Sequence, residues 1–108
     1  VFSVSEAGAT AVTGTLTATG GITVGGGTAV TKLRHGNATL VSGTVTVTDT
    51  AITANSRIQV NRFTDGGTLG DSYSVTRSAG ASFTITSKTA NVTQTLDTSI
   101  VTYLVIEP

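Results

Sequence analysis

Cysteine, methionine and tryptophan are absent from this chain of 108 residues, and histidine and proline occur once each. Without cysteine there is no disulfide, no thiolate metal site and no thiol nucleophile. With a single imidazole, His35, the usual nucleophile–base pairs are almost excluded, and a lone histidine beside a glycine reads as a solvent-exposed turn residue. Charge is scarce too. Six basic and six acidic residues cancel, and only 11% of positions are charged. The cations Lys32, Arg34, Arg57, Arg62, Arg77 and Lys88 stand singly, which excludes the clustered basic surface that nucleic acid requires. Apolar runs are short. The longest stretch, Ile100-Val101 and then Tyr103–Ile106 after one threonine, falls far short of a membrane span, so no membrane insertion is expected. No charged-then-apolar signal peptide opens the chain. Its start on Val1 reads as the mark of a cut, processed or fragmentary chain.

What is present is threonine, 24 residues of it, with 13 glycines. Threonine and valine are β-branched and sit easily on a pleated surface. No segment combines a 3.6-residue apolar period with good helix formers. The expected fold is all-β, an antiparallel β-sandwich or jelly-roll-like domain with an extended N-terminal arm. A single domain of this size has room for one modest core.

Residues 1–27 read as a low-complexity extended arm or linker. It is rich in Ala, Thr and Gly, and its few apolar anchors, among them Val12, Leu16, Ile22 and Val24, are too sparse to bury it alone. Residues 28–108 form the expected sandwich domain. Thr28–Leu33 reads as a short strand, followed by a turn at His35-Gly36-Asn37. Val45 and Val47 alternate with threonines, Ile58 and Val60 mark an inward face, and so do Tyr73 with Val75 and Phe83 with Ile85. Asn55-Ser56 and Ser78-Ala79-Gly80 read as turns. Thr64–Gly70 reads as a Gly-rich hairpin loop, and Ser87–Ser99 as a longer polar loop.

The last segment differs from the others. Ile100, Leu104 and Ile106 share one face, while Val101, Tyr103 and Val105 share the other. A strand apolar on both faces is buried on both sides. One side belongs to the sandwich core, and the other needs cover from the arm or from another subunit. Val101, Tyr103 and Val105, with Ile22 and Val24, are therefore the candidate subunit interface of an oligomer. The near-zero net charge is compatible with self-association.

Chemistry-bearing motifs are few. Asp65 and Asp71 flank the Gly-rich loop, and with Gly66 and Gly67 they make a candidate outward loop; turn formation accounts for both aspartates better than cation binding does. Gly20–Thr28 lacks the lysine of a phosphate loop, because Gly26 occupies that place. It is followed by no predicted helix, as a dinucleotide fold would need. Asn37-Ala38-Thr39 and Asn91-Val92-Thr93 fit a glycosylation triplet of a kind that a Thr-rich chain produces by chance. No catalytic residue, metal site or cofactor is expected, and the chain reads as a non-enzyme.

The order of segments carries a resemblance. Gly20–Lys32 (GGITVGGGTAVTK), His35–Asp49 (HGNATLVSGTVTVTD), Thr53–Val60 (TANSRIQV), Ala79–Ser87 (AGASFTITS) and Asp97–Pro108 (DTSIVTYLVIEP) together resemble the C-terminal β-sandwich module of tailed-bacteriophage virion proteins, of the tail-fibre, head-fibre or capsid-decoration type. The resemblance covers about residues 20–108. It implies a non-enzymatic structural protein of the phage particle, displayed on the outer surface of capsid or tail. It also implies a homotrimer, tethered to other virion proteins through the N-terminal arm. A host-receptor adhesion module, binding a glycan or protein, is the alternative.

Overall fold

The computed structural model describes residues 13–21, 26 and 31–108. Seven strands follow in order: β1 Lys32–Thr39, β2 Thr44–Thr48, β3 Arg57–Thr64, β4 Ser72–Ser78, β5 Ser82–Thr89, β6 Val92–Thr93 and β7 Ile100–Glu107. There is no helix among the described residues. The fold is all-β, as composition predicts. One antiparallel sheet has the order β1-β7-β3; the other has β2-β5-β4, with β6 paired to the end of β5.

The alternation in the sequence decides which way each strand faces. A period of two puts successive side chains on opposite faces. Phe83 and Ile85 on β5 meet Val101 and Val105 on β7, and these four are buried with Leu40 and Ile52. Val45, Val47, Ile58, Val60, Tyr73, Val75 and Tyr103 pack around them. The Phe83 and Tyr103 rings meet edge to face, with centroids 5.1 Å apart, an arrangement the ring quadrupoles favour.

Both faces of β7 are apolar, but their roles are the reverse of those expected. Val101 and Val105 are completely buried within the single chain and Tyr103 packs on the same core. They are core residues, not a subunit interface. The face left outside is that of Ile100, Leu104 and Ile106, which are only partly buried. Ile22 and Val24, the other expected interface residues, lie outside the described residues, as does most of the 1–27 arm.

Three local expectations are also corrected. His35-Gly36-Asn37 is no turn but the middle of β1, paired with Leu104, Tyr103 and Thr102. Gly36 is there because it faces the Tyr103 ring, where a Cβ would collide. Residues 65–71 are no hairpin, because β3 and β4 belong to different sheets and the loop crosses between them. Within Ser87–Ser99, β5 runs on to Thr89 and turns back at once into β6. Ala90 and Asn91 both have positive φ there, 50° and 65°, as a two-residue hairpin turn of type I′ requires.

The strands run between two poles. Lys32 pairs with Glu107, and the Thr31 amide donates to the Glu107 carbonyl. The described chain therefore enters β1 and leaves β7 at one pole, the base. At the other pole, the tip, residues 40–43, 65–71 and 90–99 meet.

Candidate functional site

The tip is held by one carboxylate. Asp97 is completely buried. Its Oδ2 accepts hydrogen bonds from the Ser87 hydroxyl and the Gly70 amide, and the Arg62 Nη2 lies 3.4 Å from it. Its Oδ1 accepts from the Ser99 amide at 3.0 Å. Burial by itself raises the carboxyl pKa, but these donors outweigh it and hold the group well below the usual carboxylate range. Arg62 also donates to the Gly70 carbonyl at 3.0 Å and lies over the Tyr73 ring. Strands β3 and β5, the 65–71 loop and the segment leading into β7 are thus fixed to one buried anion. Glycines permit the close approach: a Cβ on Gly43 would strike the Gln94 carbonyl, and one on Gly67 the Leu96 carbonyl.

The candidate outward loop lies within this structure and its members separate. Asp65 is exposed and only grazes Arg62 at 3.9 Å. Gly66 and Gly67 are packed against residues 96–98, with Thr98 donating its amide to the Gly66 carbonyl. Asp71 is exposed, and its amide donates to the Lys88 carbonyl. Among the described residues no group of three or more His, Cys, Asp or Glu is placed to hold a metal ion. What the tip presents instead is apolar. Val41, Leu69, Val92 and Leu96 are all exposed large hydrophobic residues on its loops. Leu69, Val92 and Leu96 escaped sequence reading because each stands alone among polar residues or glycine, and Val41 because it adjoins Leu40, which belongs to the core.

The base carries a second network. Arg34 donates to Asp49 at 2.7 Å and to Glu107 at 2.8 Å. The Glu107 carboxylate also accepts from the Ser56 and Thr53 hydroxyls. Burial would raise the Glu107 pKa; the Ser56 and Arg34 hydrogen bonds overcome that and lower it. A shallow open cleft of about 310 Å³ lies alongside, lined by Thr31, Lys32, Thr53, Asn55, Glu107 and neighbouring residues. The Glu107 oxygens are already engaged by three side chains, which leaves Lys32 as the other ionisable side chain lining this cleft. His35 lies at neither pole. It is exposed on the outer face of β1, opposite Leu104. The arrangement holds loops and strand ends rigid at both poles.

The family model of the C-terminal domain of K1 capsule-specific polysaccharide lyase matches residues 9–106. The chain belongs to this family. No curated protein and no solved structure matches it. The match makes this a phage-related C-terminal module, akin to tail-spike domains, and supports the expected phage virion resemblance at that level. The family takes its name from an enzyme, but the match is to the C-terminal domain.

Proposed function

We propose that the chain is a non-catalytic structural module of a phage tail-associated protein, trimeric and displayed on the outer surface of the particle. The observation that carries the reading is the state of the buried carboxylates. Asp97 and Glu107 are the only buried acids among the described residues, and every close partner of each is a structural donor. A general acid or base must instead face a substrate proton. The segment ahead of β1, which meets the sandwich at the base pole, is the proposed tether to other virion proteins. The test is addition of the purified chain to K1 capsular polysaccharide. No unsaturated sugar ends are expected after long incubation; their accumulation would overturn the reading.

A second reading is a host-receptor adhesion module. It is favoured by the apolar tip, where Val41, Leu69, Val92 and Leu96 are exposed on loops fixed to a rigid scaffold. The loops 40–43, 65–71 and 90–99 carry no aromatic side chain that would stack on sugar, the exposed Phe63 lying on the adjoining end of β3, so the receptor class proposed for these loops is protein. Particles in which Gly66–Gly70 is scrambled separate the two readings. Normal assembly with lost adsorption supports adhesion. Normal assembly and adsorption support the purely structural role.

A further inference from the structure

One peptide bond of the tip is chemically vulnerable in the sequence and sterically closed in the fold. Asp65–Gly66 is the single place in the chain where an aspartate or asparagine precedes a glycine. In such a pair no Cβ on the second residue hinders its nitrogen from reaching the aspartyl side chain. The nitrogen attacks Cγ, a carboxyl oxygen leaves as water, and a five-membered imide closes. Water then reopens the ring at either carbonyl. Opening at Cγ restores aspartate. Opening at the former peptide carbonyl leaves the chain running through Cβ and Cγ, an isoaspartyl linkage with an added methylene in the backbone. The water lost is regained, so no oxidant or reductant is needed. The glycine is fixed by packing, because a Cβ at position 66 would meet the Thr98 carbonyl oxygen at 2.6 Å and its hydroxyl at 2.9 Å. The aspartate is on the surface, with its side chain 75% exposed.

We infer that Asp65 is a site of spontaneous isoaspartyl modification that the folded tip holds closed, and that the Ser99 hydroxyl is the group that closes it. Ser99 is completely buried. Its Oγ accepts the Gly66 amide at 3.1 Å and donates to the Gly66 carbonyl at 3.4 Å. The attacking nitrogen must give up its proton and turn towards Cγ; Ser99 holds that proton and fixes the peptide plane on both sides of Gly66. Ring closure also needs rotation about the Asp65 Cα–C bond, and both flanks oppose it. Thr64 is paired with Ile100 of β7. The Gly66 carbonyl accepts the Thr98 amide at 3.0 Å, and Gly67 is bridged to Asp97.

The carboxylate clamp places this hydroxyl. The Ser99 amide donates to the Asp97 Oδ1 at 3.0 Å, and the Arg62 Nε donates to the Ser99 Oγ at 3.3 Å. The network that ties the tip loops together thus also protects the one bond in them most open to rearrangement. Protection lasts as long as the tip stays shut. A local opening that separates residues 65–67 from 96–99 frees the Gly66 amide without unfolding the sandwich. The added methylene would then carry Gly66 and Gly67 out of register with Leu96–Thr98, and the close packing that requires glycine at both positions would be lost. The modification is a one-way loosening of the tip, and its rate reports how often the tip opens.

The test is the rate of the reaction at neutral pH in the folded full chain and in the free peptide Phe63–Arg77, which trypsin also releases from the chain for analysis. Isoaspartate has the mass of aspartate, so the two forms of the peptide are separated by chromatography and told apart by electron-transfer fragmentation. In D65N the same imide forms with loss of ammonia, and the product is read directly as a mass change; the exposed side chain makes this variant harmless to the fold. A hydrogen bond of ordinary net strength lowers an open population by about tenfold. The folded chain, with Asp65 or as D65N, is expected to react at least about tenfold more slowly than the matching peptide, and adding S99A to speed the folded chain by about tenfold. Circular dichroism reports whether the S99A chain is folded. If it is not, D65N is followed in urea below its unfolding transition beside hydrogen exchange of the Gly66 amide, and the two rates are expected to rise in parallel. A peptide that does not react, a folded chain that reacts as fast as the peptide, a folded S99A chain no faster than its parent, or a D65N rate that ignores Gly66 exchange would overturn the inference.

Discussion

Gly36 of β1 lies directly opposite Tyr103 of β7 on the inner face of their sheet, and a Cβ at position 36 would overlap the Tyr103 hydroxyl and ring edge. The glycine is a slot for the ring, and the ring in turn meets Phe83 across the core. A glycine inside a strand normally weakens it, and here the neighbouring aromatic covers the bare backbone. Gly36→Ala is expected to cost about 1–3 kcal/mol through overpacking. Adding Tyr103→Leu should recover part of that loss. Denaturant unfolding of the two single variants and the double variant measures the coupling, which should be well above the ~0.5 kcal/mol scatter of independent sites.

The same pair shows what a sequence displays and what it hides. Strand positions and inward faces were legible wherever alternation was clean, as at Val45/Val47, Ile58/Val60, Tyr73/Val75 and Phe83/Ile85. Each is a local pattern with one physical reading. That β7 is apolar on both faces was legible as well. Which face is the core was not, because either choice satisfies the alternation and only the position of the second sheet decides. His35-Gly36-Asn37 looked like a turn because the aromatic partner that explains the glycine is 67 residues away in the chain. The Asp97 clamp was illegible for the same reason. Its partners Arg62, Gly70, Ser87 and Ser99 have no common spacing, and a lone aspartate among threonines reads as a turn former.

Tyr73 gives a prediction of opposite sign to most core changes. Its hydroxyl is buried without a hydrogen-bond partner, and burial raises its pKa. An unpaired buried hydroxyl carries a desolvation cost with no compensating bond. Tyr73→Phe keeps the ring under Arg62 and removes that cost. Stability is expected to be unchanged or to rise by about 1 kcal/mol. A loss of about 1 kcal/mol or more in chemical denaturation would show that the hydroxyl has a partner in solution.

The turn between β5 and β6 holds Ala90 at φ 50°. A residue with a Cβ is disfavoured there, and glycine is not. Ala90→Gly should therefore stabilise the chain by about 0.5–1 kcal/mol, against the usual direction for glycine substitutions. Ala79→Gly, in the β4–β5 turn at a residue without positive φ, serves as the control and should be neutral or destabilising. Thermal unfolding of the two variants side by side checks the difference.

The two buried carboxylates together set the response to acid. Asp97 and Glu107 both have folded pKa values below their ordinary ones. A group depressed on folding stabilises the fold fully above its unfolded pKa, about 4 for these side chains. That contribution is lost as pH falls towards the folded value. Stability should thus hold above about pH 5 and decline steeply below about pH 4. Asp97→Asn separates the two groups. The amide cannot accept from Ser87, Gly70 and Ser99 as the carboxylate does, and Arg62 loses its counter-charge. The expected loss at neutral pH is about 2–4 kcal/mol. The variant should also lose less of its remaining stability on acidification, because one of the two titrating groups is gone. Urea unfolding at pH 7 and pH 3.5 for both proteins measures this. A variant as acid-sensitive as the parent would place the acid response on Glu107 and its Arg34 and Ser56 partners at the base, and not on the tip.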